Sequence, residues 1–281
     1  MKRIAIQGGK GSFHDITAHR YFDGEEIEVI YCATFDDIFT TIKHDDSVIG
    51  LMAIENTIAG SLLQNHELLR ESKLQIIGEA RLHISHSIMC LPDDDWDDIV
   101  EVNSHPIALM QCREFLNAHP RIKVVEAEDT AKSAEDIYNK NLRGHAAICG
   151  KDVAAMYGMK ILQESIETNK HNSTRFLVIA NRWHAEEYRK KGDVCNKSSI
   201  VFSLPHAEGS LSQVLSILSF YKLNLTKIQS LPIIGREWEY QFYIDVVYDD
   251  RLRYHQAIDA ITPLIKELQI LGEYAESKDN L

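Results

Sequence analysis

The sequence predicts an α/β protein of two modules: an amino-terminal region of mixed strands and helices, and a carboxyl-terminal ferredoxin-like module. Up to about residue 180, short β-rich apolar runs alternate with helical patterns, as in α/β sheets. Residues 181–193 are dense in charge and lack a clean period, which indicates a connection between modules. The residues that follow show the order β-α-β-β-α-β. A length of 281 residues also favours two domains.

In the first module, strands are predicted from apolar runs and helices from their capping residues. Thr34 precedes Phe35 as an N-cap, and Ser104-His105 precedes Pro106, which suits the first position of a helix. Another helix is predicted over residues 62–69. The predicted strands cover residues 3–7, 27–31, 48–54, 74–77, 99–102, 123–126 and 145–148.

In the second module, alternating apolar residues predict strands and a 3.6-residue period predicts helices. The expected strands are residues 199–204, 223–230, 238–248 and 269–274, and the expected helices are residues 209–221 and 254–268.

Charge and composition exclude several classes of protein. Thirty Lys and Arg against 42 Asp and Glu give a net charge of -12, the wrong sign for a general nucleic-acid binder. No run approaches the ~20 apolar residues of a membrane span, and the first apolar run is too short for a secretion signal. The five cysteines lack a C-x-x-C pair, so we expect reduced thiols in a cytoplasmic protein.

The segment Asn172-Ser173-Thr174-Arg175-Phe176 puts a hydroxyl, a guanidinium and an aromatic ring together before an apolar run. Arg pairs bidentately with carboxylates, while Thr can hydrogen-bond a departing oxygen. This combination suits an organic acid that loses an oxygen. The alternative is a capped strand entrance with no ligand.

Two earlier segments follow predicted strands and could line the same site. The loop Gly8 to Phe13 suits anion capture at a helix start, although it lacks both nucleotide-binding fingerprints, so a small carboxylate competes with a plain tight turn. The segment Glu55 to Ser61 places polar side chains at a strand's carboxyl end, where open α/β sheets bind ligands. The alternative is that these side chains only satisfy loop amides.

These segments, in order along nearly the whole chain, resemble prephenate dehydratase with a carboxyl-terminal ACT regulatory domain. The resemblance also rests on Ser104-His105-Pro106 with Gln111-Cys112, on Phe202 to Pro205, on Asn224 to Ile228 and on Trp238-Glu239-Tyr240. It implies a catalytic region over residues 1–185, with two lobes like a type II periplasmic binding protein, and an ACT domain over residues 197–281. The expected lobes are roughly residues 1–78 with 160–185, and residues 79–159.

The resemblance further implies that prephenate binds between the lobes and that L-phenylalanine binds as a feedback effector where ACT domains pair in a homodimer or homotetramer. It calls for no metal, nucleotide or organic cofactor. Thr174 matches the essential threonine of the family, and Arg175 and Phe176 complete the catalytic signature; we expect Arg175 to bind a substrate carboxylate. The expected substrate-binding residues are Gly11, Ser12, Phe13, Glu55, Asn56, Thr57, Gly60, Ser61, Ser104 and Thr130, and the expected effector residues are Gly209, Ser210, Leu211, Gln229, Ser230, Leu231 and Pro232.

The chain departs from the family pattern mainly in the second module. Gln229 and Leu231 replace the Glu and Arg of the family's Glu-Ser-Arg-Pro motif, and Ser210 replaces Ala. Gly9, His14, Thr57 and Ile107 are milder departures. Two other interpretations of the function stay open. One is arogenate dehydratase, whose substrate carries an amine in place of the side-chain keto group, and the other is a non-catalytic carboxylate sensor with an ACT module.

Overall fold

The computed structural model describes residues 1–190 and 192–277, and its strands form three separate sheets. Within those ranges, no helix is long and apolar enough to cross a bilayer. The strands are β1 (Lys2–Gln7), β2 (Ile27–Cys32), β3 (Ile49–Asn56), β4 (Gly60–Ser61), β5 (Gln75–His83), β6 (Ser87–Cys90), β7 (Glu101–Ser104), β8 (Lys123–Glu126), β9 (His145–Cys149), β10 (Lys160–Gln163), β11 (Ser173–Ala180), β12 (Lys197–Ser203), β13 (Asn224–Pro232), β14 (Tyr240–Val247) and β15 (Lys266–Tyr274). The helices are α1 (Phe13–Tyr21), α2 (Phe35–His44), α3 (Leu63–Ser72), α4 (Pro106–Gln111), α5 (Arg113–Asn117), α6 (Thr130–Lys140), α7 (Asp152–Tyr157), α8 (Ala185–Tyr188), α9 (Ser210–Phe220) and α10 (Arg251–Ile261), with a 3₁₀ turn at Thr262–Leu264.

The first lobe is a mixed sheet in the order β2-β1-β3-β11-β5, with β4 paired to β3. β1 runs parallel to β2 and β3, whereas β11 runs antiparallel to both β3 and β5. Helices α1 and α8 cover one face, and α2 and α3 pack on the other. The predicted cap at Thr34 is confirmed, because its side chain and Asp37 form a reciprocal capping box at the start of α2.

The second lobe is a sheet in the order β10-β6-β9-β7-β8. The chain leaves the first sheet after His83 and returns to it at Ser173, so the second lobe is an insertion between β5 and β11. The expected lobe boundaries at residues 78 and 160 are therefore wrong: β5 continues to His83, and β10 belongs to the second sheet. The sequence pattern also misses β6 and β10; every residue of β6 is buried, so that strand shows no alternation of apolar and polar residues.

The carboxyl-terminal module is an antiparallel sheet in the order β13-β14-β12-β15, with α9 and α10 on one face. The predicted βαββαβ order is confirmed. The expected helix over residues 254–268 is wrong at its end: α10 stops at Ile261, and Pro263 explains this, because proline removes a backbone donor and clashes with the preceding turn. Of the expected regulatory domain, residues 278–281 lie outside the described residues, as does residue 191 of the connection.

The bare face of the carboxyl-terminal sheet packs on the first lobe. Val201, Leu231, Tyr243 and Leu271 share one apolar core with α2, α3 and the first sheet. β15 approaches β5 so closely that a Cβ at Gly272 would collide with the Ile76 backbone. The two domains therefore form one continuous interior.

A cluster of buried charges lies within this interface. The Arg175 guanidinium of β11 donates to Glu79 of β5 (Nε to Oε2, 2.6 Å), to Asp245 of β14 (2.5 Å) and to the Tyr274 hydroxyl of β15 (2.9 Å). The Lys197 ammonium also donates to Glu79, at 3.0 Å. Arg175 is 8% exposed and Lys197 is fully buried. Two cations and two carboxylates thus neutralise one another away from water.

The direction of the pKa shift of Asp245 agrees with a charged carboxylate that is neutralised by the neighbouring cations. Burial, the largest single influence, would raise that pKa, but Arg175, the Ser199 hydroxyl and Lys197 together lower the pKa below its ordinary value. Likewise, burial opposes the charge on Arg175, yet Asp245 leads the interactions that raise the pKa of Arg175. Removing one member would leave an opposite charge buried without a partner, which is strongly destabilising.

We therefore expect Arg175→Gln to lower the free energy of unfolding by about 3–5 kcal/mol. Denaturant titration followed by circular dichroism measures this. Lys140→Gln is the control, because it removes only an exposed pair with Asp136 and should change stability by about 0.5 kcal/mol or less. A loss below about 1 kcal/mol in Arg175→Gln would show that the buried cluster does not hold the domains together.

His66 of α3 predicts a pH dependence of stability. It packs edge-on against Tyr243, and burial, followed by the nearby Lys227 charge, lowers its pKa from 6.5 to about 4. Between these values the unfolded chain binds more protons than the folded one, so stability falls as the pH drops from about 6.5 to about 4. Between pH 7 and pH 4.5, the unfolding free energy should fall by about 2–3 kcal/mol more in the parent than in His66→Gln. Parallel curves of unfolding free energy against pH would contradict this assignment.

Candidate active site

A cleft of about 390 Å³ lies between the two lobes. Its walls come from strand ends of the first lobe and from helix starts of both lobes. Its lining includes Ser12, Phe13, His14, Ala53, Asn56, Thr174 and Phe176 of the first lobe, Ile84 and His86 between the lobes, and His105, Ala108, Gln111, Glu128, Asp129 and Thr130 of the second.

β11 presents its residues alternately to the cleft and to the carboxyl-terminal sheet. Thr174 and Phe176 line the cleft, while Arg175 points the opposite way into the buried charge cluster. The expected role of Arg175 in binding a substrate carboxylate is therefore wrong, because its guanidinium is already engaged by Glu79 and Asp245. The ring of Phe176 meets His14 edge-on, with centroids 5.0 Å apart, and forms part of the wall.

The Thr174 hydroxyl is oriented by Asn56. Asn56 Nδ2 donates to Thr174 Oγ1 at 2.9 Å, while Asn56 Oδ1 accepts the backbone N–H groups of Ile58 and Ala59 at 2.9 and 2.8 Å. These two acceptor contacts determine which way the amide faces. Because the hydroxyl accepts from Asn56, its own hydrogen remains available for donation into the cleft.

A chain of hydrogen bonds connects this pair to the second lobe. Asn56 Nδ2 also donates to Asn172 Oδ1 at 2.8 Å, and Asn172 Nδ2 donates to Gln111 Oε1 of α4 at 3.0 Å. Gln111 Oε1 also lies 2.8 Å from His86 Nε2, so we assign the hydrogen to that ring nitrogen. Burial lowers the pKa of His86, and the neutral ring fits this arrangement.

The described lining of the cleft contains no Lys or Arg. Burial lowers the pKa of His14 to about 4, and its Nε2 accepts the Ala53 N–H at 3.2 Å, so His14 is neutral at pH 7. The positive electrostatics come instead from backbone. Helices α1, α4 and α6 begin at residues that line the cleft, and the first N–H groups of a helix have no partner within it. The cleft can therefore bind an anion without a fixed cation.

Several expected site residues lie at the cleft. Ser12 caps α1 through the Asp15 N–H, Phe13 contacts His86 edge-on, and Thr130 begins α6. Gly11 does not line the cleft: it is buried beside the second lobe, where a Cβ would meet Val153 and Met156.

Other expected residues do not line the cleft. Glu55 and Ser61 face the carboxyl-terminal sheet and accept from Lys227 Nζ at 3.2 and 2.9 Å. Ser104 is fully buried and donates to the Ile148 carbonyl, because its strand turns that side chain into the second lobe. Their expected substrate contacts are corrected accordingly.

Thr57 and Gly60 shape the neighbouring loops. Thr57 Oγ1 donates to the His171 carbonyl at 3.0 Å and accepts the Ser173 N–H at 2.9 Å, so it anchors the segment that leads into β11. Gly60 is exposed and pairs with Asn56 across β3 and β4. Neither Thr57 nor Gly60 contributes to the lining of the cleft, so their expected substrate contacts are not found there.

Sequence reasoning missed several residues that the structure brings to the cleft. His14 stood out only as a departure from the family pattern, and Asn172 only as the start of a motif. Gln111 follows Pro106 by five residues on a helix that begins at the cleft, and Asp129 precedes α6 in an N-cap position. For Asp129, this cap position shortly after a predicted strand is the signal that could have identified the residue.

The expected effector residues gather at one end of the carboxyl-terminal sheet. Ser203 and Leu231 both pair with Gln241, so the start of α9 and the end of β13 lie on the same side. Gly209 precedes α9 with a φ of 75°, and Ser210 Oγ donates to the Pro205 and Ala207 carbonyls.

The strand places its effector candidates on two faces. Leu231 is buried in the core shared with the first lobe and offers no surface to a ligand, which corrects its expected role. Gln229 Nε2 donates to the carbonyl of the exposed Ser230. Leu211 packs partly on the core beneath α9, and Pro232 ends β13.

Comparison with known proteins agrees with this architecture. The chain is 30% identical over 277 residues to a bifunctional chorismate mutase/prephenate dehydratase of Enterobacter agglomerans, covering 97% of this chain and 70% of that one. It is 31% identical over 290 residues to the chloroplastic arogenate dehydratase 5 of Arabidopsis thaliana, covering 97% and 67%.

Solved structures share the fold. The quorum-quenching acylase GqqA superposes with a TM-score of 0.86 at 24% identity, with 99% of each chain covered. Prephenate dehydratase from Arthrobacter aurescens, solved in complex with L-Phe, gives 0.83 at 23% identity, with 99% and 92% covered. At such identities these likenesses describe the fold alone. The sequence profile of prephenate dehydratase, however, matches residues 4–183, and the chain belongs to the prephenate dehydratase family.

Proposed function

We propose that this chain catalyses the decarboxylating dehydration of prephenate to phenylpyruvate, a step of L-phenylalanine biosynthesis. The observation that carries the proposal is the Thr174 hydroxyl at the cleft, which accepts from Asn56 and so keeps its own hydrogen free for donation to a ligand. A hydroxyl of this kind serves a reaction in which an oxygen departs.

Prephenate carries a ring carboxylate, a hydroxyl on the opposite ring carbon and a pyruvyl side chain. In the reaction, the bond from the ring to the carboxylate breaks, its electron pair enters the ring, and the bond to the hydroxyl breaks. The departing hydroxide takes one proton and leaves as water, and carbon dioxide leaves from the other carbon. Thr174 donates to the departing oxygen, and solvent restores the proton.

The charge distribution of the cleft suits this chemistry. The ring carboxylate loses its charge as carbon dioxide forms, so a fixed cation beside it would stabilise the substrate more than the transition state. The described lining has no Lys or Arg, and Phe13, Ala53, Ile84 and Phe176 supply apolar surface. Helix starts can hold the second carboxylate, which keeps its charge throughout.

The second module supports a regulatory proposal. Its βαββαβ order is that of an ACT domain, and we propose that it binds L-phenylalanine as a feedback effector. The buried cluster of Arg175, Glu79 and Asp245 provides a route for coupling, because Arg175 directly follows Thr174 on β11. A movement of β14 would therefore act, through Asp245 and Arg175, on β11, the strand that carries the Thr174 hydroxyl.

We further propose that two or more copies associate through this module. β13 is an edge strand, and Ile228 and Tyr240 lie partly exposed on β13 and the adjoining β14. Ile234 and Trp238 in the connecting loop are 91% and 68% exposed. Unpaired edges with apolar side chains favour association. A cytoplasmic setting belongs to the same proposal, supported by five unpaired thiols, four of them buried.

The catalytic proposal predicts the kinetics of Thr174 variants. Thr174→Ala should lower kcat by about 10²- to 10⁴-fold with little change in KM, because the donor acts on the transition state. Thr174→Ser keeps a hydroxyl and should recover most of the loss. Formation of phenylpyruvate, followed by absorbance, gives both constants. A kcat near the parent value in Thr174→Ala would remove the role assigned to this residue.

The regulatory proposal predicts that L-phenylalanine lowers kcat/KM for prephenate by about 5- to 150-fold, which corresponds to a typical coupling of about 1–3 kcal/mol. Sedimentation in parallel reports any change of assembly, and D-phenylalanine is the control. If millimolar L-phenylalanine changes neither quantity, the departures at Gln229 and Leu231 have abolished the effector site.

A further inference from the structure

Asp129, at the start of α6, carries a charge that the proposed dehydration does not use. Its Oδ1 accepts the Lys132 backbone N–H at 2.9 Å and so caps the helix. Its Oδ2 has no hydrogen-bond partner among the described residues and lies 3.9 Å from the position of a Cβ built on Gly8. One carboxylate oxygen therefore reaches across the cleft from the second lobe to the first.

The other side chains of the cleft lining supply no positive charge to pair with this carboxylate. The other carboxylate of the lining is Glu128, which is exposed at the rim, and His14 is neutral at pH 7. No Lys or Arg lines the cleft within the described ranges. A ligand that brings an ammonium group to this oxygen would gain an ion pair that the same ligand with a keto group in that place would lack.

The location of Asp129 matches one end of the substrate. Gly8 follows β1, and Thr174 is the second residue of β11, with β3 lying between these two strands. Two strand spacings separate them by about 10 Å. In prephenate the hydroxyl and the side chain lie on opposite ring carbons, so a substrate whose hydroxyl meets Thr174 directs its side chain away from that strand.

We propose that Asp129 determines which side chain the cleft accepts, by pairing with the α-ammonium group of arogenate, the amino analogue of prephenate. The chain then dehydrates both acids, and Asp129 sets the ratio between them. This inference rests on the proposed dehydratase function, because it assumes that the hydroxyl of either acid lies at Thr174.

The test compares two substitutions that keep the helix cap and remove the charge. Asn and Ser cap helices about as well as Asp, so Asp129→Asn and Asp129→Ser should fold like the parent, as thermal unfolding will verify. For each purified full-length protein, kcat/KM is measured with prephenate and with arogenate. The ratio of arogenate to prephenate should fall by about tenfold in both variants, the effect of losing one partly buried ion pair.

Asp136→Asn is the matched control. It removes the same charge from the same helix, but Asp136 pairs with Lys140 away from the cleft, so the ratio should equal that of the parent. A fall confined to the Asp129 variants supports the inference. An equal fall in Asp136→Asn would show a general charge effect and overturn it.

The remaining outcomes separate this inference from the proposed function. If prephenate is consumed and the substrate ratio is the same in the parent and in both Asp129 variants, the role of Asp129 is refuted and the dehydratase function stands. If the parent consumes neither acid, the dehydratase function fails and the inference fails with it.

Discussion

The pairing of Arg175 with Glu79 and Asp245 is the interaction on which the rest of the structure depends. It joins a central strand of the first lobe to the carboxyl-terminal sheet, in a place where neither water nor surface charge can substitute for a lost partner. Buried charges of this kind contribute little net stability compared with apolar packing, but they tolerate only one relative arrangement of their partners. The position of the carboxyl-terminal sheet on the first lobe follows from that requirement.

Strands β3 and β11 contribute side chains both to the cleft and to the interface with the carboxyl-terminal sheet, because successive side chains point to opposite faces of a strand. On β3, Glu55 faces the carboxyl-terminal sheet and Asn56 faces the cleft; on β11, Arg175 and Thr174 divide in the same way. Asn56, which orients the Thr174 hydroxyl, is thus covalently adjacent to Glu55, which Lys227 of the other domain holds. A change in one compartment reaches the other through a single peptide unit, without any long route through side chains.

Sequence reasoning predicted the fold class, the order of elements in the second module and the placement of Thr174 beside Asn56 at strand ends. It could not predict which face of β11 lines the cleft, because the sequence Thr174-Arg175 is the same whether the guanidinium binds a substrate or Glu79. Ser104 and Ser61 were misplaced for the same reason. The fully buried β6 left no alternating pattern of apolar and polar residues, and the end of α10 depended on Pro263 rather than on the apolar pattern. A local sequence pattern can predict a strand or a helix end, but the residues that a side chain contacts are determined only when the whole chain has folded.

The insertion of the second lobe between β5 and β11 determines when the site can assemble. β11 is the strand that fills the space between β3 and β5, yet it is synthesised only after every strand of the second lobe. Until then the first sheet has two exposed inner edges, and contacts so distant in sequence form slowly. The nascent chain therefore has no active centre until β11 is made, and premature release or truncation before residue 173 would yield an open sheet prone to aggregation.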